Sequence, residues 1–225
     1  MRRFPVPFVG CKSDGQGGPI EAPKGTGQPV RVAREEARGL AYYRSAQGSG
    51  VLAPRGWYCF GTYGSSGSTL FMNPKPIDTT NLFSPGWNGF HFEGPAIELL
   101  SLSGEAFGRF EVAEIIARVF PAYRDFATHV MEENVLPAFT FGPYPNEVLT
   151  YKSNAVFEYK TPAQTEGLGT HSSLKKNGSS IEGVAIPKAQ ESETPDLLLL
   201  SVRLPPELSG PTSAIVAQVE RDAPR

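Results

Sequence analysis

Three features of the sequence predict an α+β fold, an antiparallel β-sheet flanked by helices in an αβα sandwich. Gly and Pro, 24 and 21 of the 225 residues, cut the chain into short segments that favour turns and strands over long helices. Residues 51–74 set two aromatic-rich apolar runs around Gly64, Ser65, Ser66 and Gly67, the length and composition of a β-hairpin loop. Helical periodicity is confined to a few stretches, the clearest being Val112, Ile115, Ile116, Val119 and Phe120.

Residues 1–29, rich in Gly, Pro and small polar side chains, read as an extended arm laid over a single α+β domain of residues 30–225. Gly15, Gly17, Gly18, Gly25 and Gly27 do not make a phosphate cradle, because no strand precedes them and no Lys-Ser/Thr pair follows. An amphipathic helix is expected from 32 to about 45, with Ala33, Ala37, Leu40 and Ala41 inward and Gly39 as a mild defect. The central hairpin begins at Trp57 and ends at Asn73. Pairing Tyr63 with Ser68 sets Phe60 opposite Phe71 and Thr62 opposite Thr69 on one face, and Cys59 opposite Met72 and Gly61 opposite Leu70 on the other. Both faces are apolar, so the hairpin is expected in the middle of a sheet covered on both sides.

A loop-rich crossing over 73–93 carries Trp87, Phe90, His91 and Phe92. A strand follows at 96–102. The helix after Gly108 carries Glu111, Glu114 and Arg118 on its outer face, with Glu114 and Arg118 as an i,i+4 pair, and is broken by Pro121. A second helical stretch runs through Tyr123, Phe126, Ala127 and Val130 until Asn134 and Pro137. Strands are expected at 149–156 and 157–161, then at 181–186 and 196–204 across an acidic loop with Glu191 and Glu193. Leu197 to Leu200 do not alternate and should be buried on both faces beside the hairpin. Asn177 and Gly178 signal a two-residue turn, and Pro211 opens a terminal helix.

With 21 basic and 23 acidic side chains, a net charge of −2 and no block of either sign, nothing supports a nucleic-acid or anionic-membrane partner. No stretch approaches the roughly 18 consecutive apolar residues of a membrane span. Arg2 and Arg3 resemble the start of a signal peptide, but Pro5 and Pro7 interrupt it. The two cysteines, Cys11 and Cys59, are expected to form a disulfide that fastens the arm to the hairpin. Such a bridge implies a periplasmic or secreted location, with any signal peptide lying outside the given chain.

Three kinds of site can be assembled from these residues. The small residues and hydroxyls of Ser65, Ser66 and Ser68, with His171 as base, offer a serine-type ester or amide hydrolase, although G-x-S-x-G is missing and the turn joins two strands. Arg55, Trp57, Tyr63, Trp87 and His91 offer an aromatic-lined cleft with one guanidinium, suited to a sugar, an aromatic acid or a peptide. A carboxylate pair built from Glu93 and Glu98 or Glu105 is a third arrangement, with surface acids as the plainer reading. Isolated histidines without H-x-x-x-H or C-x-x-C spacing give no metal site, and no cofactor is implied.

Residues 50–74 and 108–121, with the closing LSVRLPP of 200–206, resemble uncharacterised exported bacterial proteins, a resemblance that implies export and no particular chemistry. The order of elements, with Pro54, Arg55, Gly56 and Trp57, is also similar to PsbP/Mog1-type αβα sandwiches, which implies an accessory or binding role. The reading at this point is an exported protein that binds a small molecule or a protein partner, with the hydrolase as alternative.

Overall fold

The structure is a computed structural model that describes residues 3–133, 135, 137–188 and 194–223. Arg2, Asn134 and the acidic loop at Glu191 and Glu193 lie outside the described residues. In chain order the elements are β1 (Arg3–Val6), β2 (Phe8–Gly10), β3 (Ser13–Gly15), β4 (Gln28–Arg31), α1 (Arg34–Gly39), β5 (Leu40–Arg44), β6 (Val51–Pro54), β7 (Tyr58–Gly64) and β8 (Gly67–Asn73). They continue as β9 (Ala96–Leu102), α2 (Gly108–Val119), α3 (Arg124–Glu132), β10 (Val148–Ser153), β11 (Val156–Thr161), α4 (Leu168–His171), β12 (Ile181–Lys188), β13 (Asp196–Arg203) and α5 (Thr212–Asp222).

Among these residues eight strands form the main sheet in the order β10-β11-β12-β13-β9-β8-β7-β3, three form a second sheet β2-β5-β6, and β1 pairs with β4. The main sheet is antiparallel apart from β3, which runs parallel to β7. The hairpin has the expected register, Tyr63 opposite Ser68 and Phe60 opposite Phe71. Its place in the sheet differs from expectation. The middle belongs to β13 and β9, and the hairpin lies toward one edge, capped by the three-residue β3. The side chains explain this. Tyr58 is half exposed, whereas β13 is buried from Leu197 to Arg203, and each fully buried leucine there contributes about 1.5–3 kcal/mol.

Side-chain alternation along β13 builds two cores. Leu198, Leu200 and Val202 pack with Leu70, Met72 and Ile97, under Ile215 and Val216 of α5 and Leu52 of the second sheet. Leu197 and Leu199 pack with Leu100 and Leu102 under Val112, Ile115 and Ile116 of α2. The fold is α+β, but its covering layers combine helix and strand; one face is roofed by α5 together with the small sheet.

The expected helix over 32–45 is the largest local correction. It stops at Gly39, and Leu40–Arg44 becomes β5, between β2 and β6. Leu40, Ala41 and Tyr43 are buried by that pairing, so tertiary burial outweighs a short helical pattern that Gly39 already weakens. The disulfide between Cys11 and Cys59 is present, with the two Cα atoms 5.4 Å apart, and ties the segment between β2 and β3 to β7. No described helix is long and apolar enough to cross a membrane.

Candidate functional site

The turn of the hairpin meets the start of α2 at close quarters. Ser103 N–H donates to the Ser66 carbonyl at 2.9 Å, and a Cβ on Gly108 would meet the Ser103 and Ser66 carbonyl oxygens at 2.3 and 2.8 Å. Only glycine lets the helix begin there. Glu111, one turn further on, is thereby set against the same face of the sheet as Thr69 and Leu100. It is half-buried, not on an outer helix face, and among the described residues no salt bridge joins Glu114 to Arg118; Arg118 instead stacks over the Tyr144 ring at 4.2 Å.

On the same face of the sheet, the residues between β8 and β9 bring down a row of rings. Phe90 packs edge-on to Phe71 with centroids 4.9 Å apart, Trp87 edge-on to Phe90 at 5.6 Å, and Phe83 edge-on to Trp87 at 5.0 Å. Arg203 holds the base of this loop. Its side chain is 2% exposed and donates to the carbonyls of Phe92, Gly94 and Lys175 at 2.5, 2.6 and 2.5 Å.

Between the loop and α2 lies a cavity of about 210 Å³. Thr69, Leu100 and Leu102 form its floor, Phe83 and Trp87 one wall and Glu111 another. Phe83 is 49% exposed and has φ 58°, a left-handed conformation that is costly for a bulky residue. An apolar ring is therefore held in a strained, half-exposed position at the mouth of the cavity.

Glu111 is the acid of the lining, and its charge reaches a second carboxyl, that of Glu98, buried outside the lining. Glu98, 4% exposed on β9, accepts a 2.8 Å hydrogen bond at Oε2 from the Ser173 N–H. Burial pushes its carboxyl up to about 7, with Ser173 opposing and the Glu111 charge adding to the rise. Burial also raises Glu111, while the charge on His171 lowers it. The Glu111 carboxyl has no hydrogen bond or salt bridge to the protein among the described residues. A raised carboxyl can present a neutral acid that donates a hydrogen bond or, when ionised, a carboxylate that pairs with a ligand cation.

The cavity brings together some of the residues singled out from the sequence. Tyr63, Ser66, Ser68 and Trp87 line it. Ser65 points away, its N–H donating to Gln16 Oε1 at 2.9 Å. His171 ends α4 and acts on Glu111 by charge; among the described residues no hydrogen bond joins it to Ser65, Ser66 or Ser68. Arg55 and His91 are exposed and outside the lining, and Trp57 packs against the core on the α5 face. Glu93 and Glu105 are also exposed, so the acid that faces Glu98 electrostatically is Glu111. Among the described residues no three His, Cys, Asp or Glu side chains are grouped to hold a metal ion.

No family model matches the chain, no curated protein matches it, and no solved structure matches it. The geometry alone carries the functional reading. Glu111 and Arg203 were not legible as site residues, because each stands at a position where a solvated charge is the usual case. The available signal was positional: Glu98 is the single charge of the strand AIELLSL, and Arg203 closes the apolar run of DLLLLSVR.

Proposed function

We propose that the protein binds a small molecule with an aromatic or other apolar body and a cationic group, in the cavity between the aromatic loop and α2. The observation that carries this reading is the Glu111 carboxyl, raised by burial and with no hydrogen bond or salt bridge among the described residues, in the same lining as Trp87 and Phe83. A ligand ammonium there would gain a carboxylate and an aromatic face together. About 210 Å³ suits a ligand of amine or single-ring size, smaller than the sites of roughly 300 Å³ and upward that take drug-sized molecules. The disulfide supports placing this activity in an oxidising compartment, the periplasm or exterior.

The chain has two tryptophans, so a Trp57→Phe background leaves Trp87 as sole reporter. Titrating benzylamine, benzyl alcohol and benzoate against its fluorescence tests the reading. The amine should perturb Trp87 saturably, the acid should not, and Glu111→Gln should abolish the preference. Equal response to all three, or none, would overturn it. Ser66 lies on the same cavity, which keeps the ester or amide hydrolase in view. Fluorophosphonate labelling that Ser66→Ala removes would favour that alternative.

A further inference from the structure

A second concave site lies on the other side of the molecule, where the β1–β4 ribbon meets the last turns of α5. Arg3 and Arg31 are direct partners across the antiparallel pair, where side chains stand about 4.5–5.5 Å apart at Cβ and like charges oppose each other. Arg221 joins them on the wall of a cavity of about 460 Å³ that also includes Gln28, Gln218 and Asp222. Three guanidiniums against one carboxylate leave the lining with a charge of +2. None of the three arginines makes a salt bridge among the described residues.

The framework around them is built. Gln218, 1% exposed, accepts from Leu52 N–H at 2.8 Å and donates to Asp222 Oδ2 at 3.0 Å and to the Gly50 carbonyl at 3.3 Å. The one acid of the lining is thus already engaged by an amide, and α5 is locked to β6 beside the ribbon. Arg221 has a local reason to stand where it does, at the negative end of a helix. Arg3 opposite Arg31 has none within the fold. Phe4 and Val30, the next pair in register, face the core, and that alternation obliges the arginines to face outward together.

We infer that Arg3, Arg31 and Arg221 form a binding site for a phosphate group. Planar guanidinium forks match phosphate oxygens in pairs, and a bound phosphate turns the opposed arginines from a repulsion into a clamp. The site is independent of the Trp87 cavity, on different elements and of opposite charge.

The test uses the intact disulfide-bonded chain and two probes, inorganic phosphate and vesicles of phosphatidylcholine with or without phosphatidylglycerol. Calorimetric titration with phosphate at low salt should show one saturable site. Arg31→Gln and Arg221→Gln should each weaken it about tenfold, the loss of one charge-assisted hydrogen bond, and Arg55→Gln should leave it unchanged. Binding only to phosphatidylglycerol vesicles, lost in the same two variants, also supports the site and places the phosphate on a lipid. No binding to either probe, or binding equal in all variants, overturns the inference. Without phosphate, Arg31→Gln should melt at or above the parent temperature, because it removes a like-charge opposition. A lower melting temperature would assign Arg31 to the fold and overturn the inference by a route that does not depend on binding.

Discussion

Glu98 and Ser173 are joined by a 2.8 Å hydrogen bond from the Ser173 N–H to the carboxyl of a residue buried in mid-sheet, 75 positions away in sequence. The bond ties β9 to the segment after α4 and fixes a titratable group at the back of the aromatic loop. It helps the charged form, but burial outweighs it and the carboxyl is raised from 4.5 to about 7.

A pH dependence of stability follows. The folded chain holds this proton more tightly than the unfolded chain, so the stabilisation is complete below about pH 4.5 and is lost as pH rises to about 7. The difference is worth about 3 kcal/mol. Glu111 is raised too and acts in the same direction. Urea unfolding from pH 4.5 to 8 should show falling stability in the parent and a flatter profile in Glu98→Gln, with the variant more stable than the parent at pH 8. A parent profile that rises across this range would contradict the burial argument.

Arg203 should be among the most sensitive positions in the chain. Removing its guanidinium takes this donor from the part-buried carbonyls of Gly94 and Lys175, while the Phe92 carbonyl keeps the Lys175 N–H at 3.0 Å, and each hydrogen bond lost from a charged group is worth about 1.5–3 kcal/mol. Arg203→Met should therefore lower stability by at least about 3 kcal/mol. Arg203→Lys should recover only part of this, because a single ammonium cannot span the fork. Limited proteolysis should cut both variants in the loop before β9 sooner than the parent.

Gly67 occupies φ 132°, and an added Cβ would sit 2.0 Å from the Ser101 carbonyl oxygen. Gly67→Ala should cost more than about 2 kcal/mol by separating the hairpin from β9. Gly178, with open space around it, should accept alanine within about 0.5 kcal/mol. Thermal melts of the two variants make the comparison.

The Cys11–Cys59 bridge spans 48 positions, and in the chain-entropy view its closure stabilises the fold by about 4 kcal/mol. The double Cys11→Ala, Cys59→Ala variant should lose roughly that amount in chemical denaturation, and the parent should approach it in reductant. A reduced parent as stable as the oxidised one would show that β1–β4 and β3–β7 pairing hold the arm unaided.

The strands and their partners in sequence were open to reading from the chain because their cues are local. Alternation and the four-residue loop set the hairpin register at Tyr63 and Ser68, and helical spacing set α2. The terminal helix after Pro211 was equally plain. Helix and strand compete for a short segment such as LAYYR, and there the winner depends on β2 and β6 lying alongside.

What the sequence by itself determined were the hairpin register, the main strand and helix segments and a disulfide between the only two cysteines. Tertiary structure alone decided that β13 and not the hairpin occupies the middle, that Trp57 and Trp87 serve opposite faces, and that Glu111 closes a cavity with Trp87. The physical reason is range. Periodicity and turn chemistry act over a few residues, whereas the burial that raises Glu98 and Glu111 and encloses Arg203 is created by segments far apart in the chain.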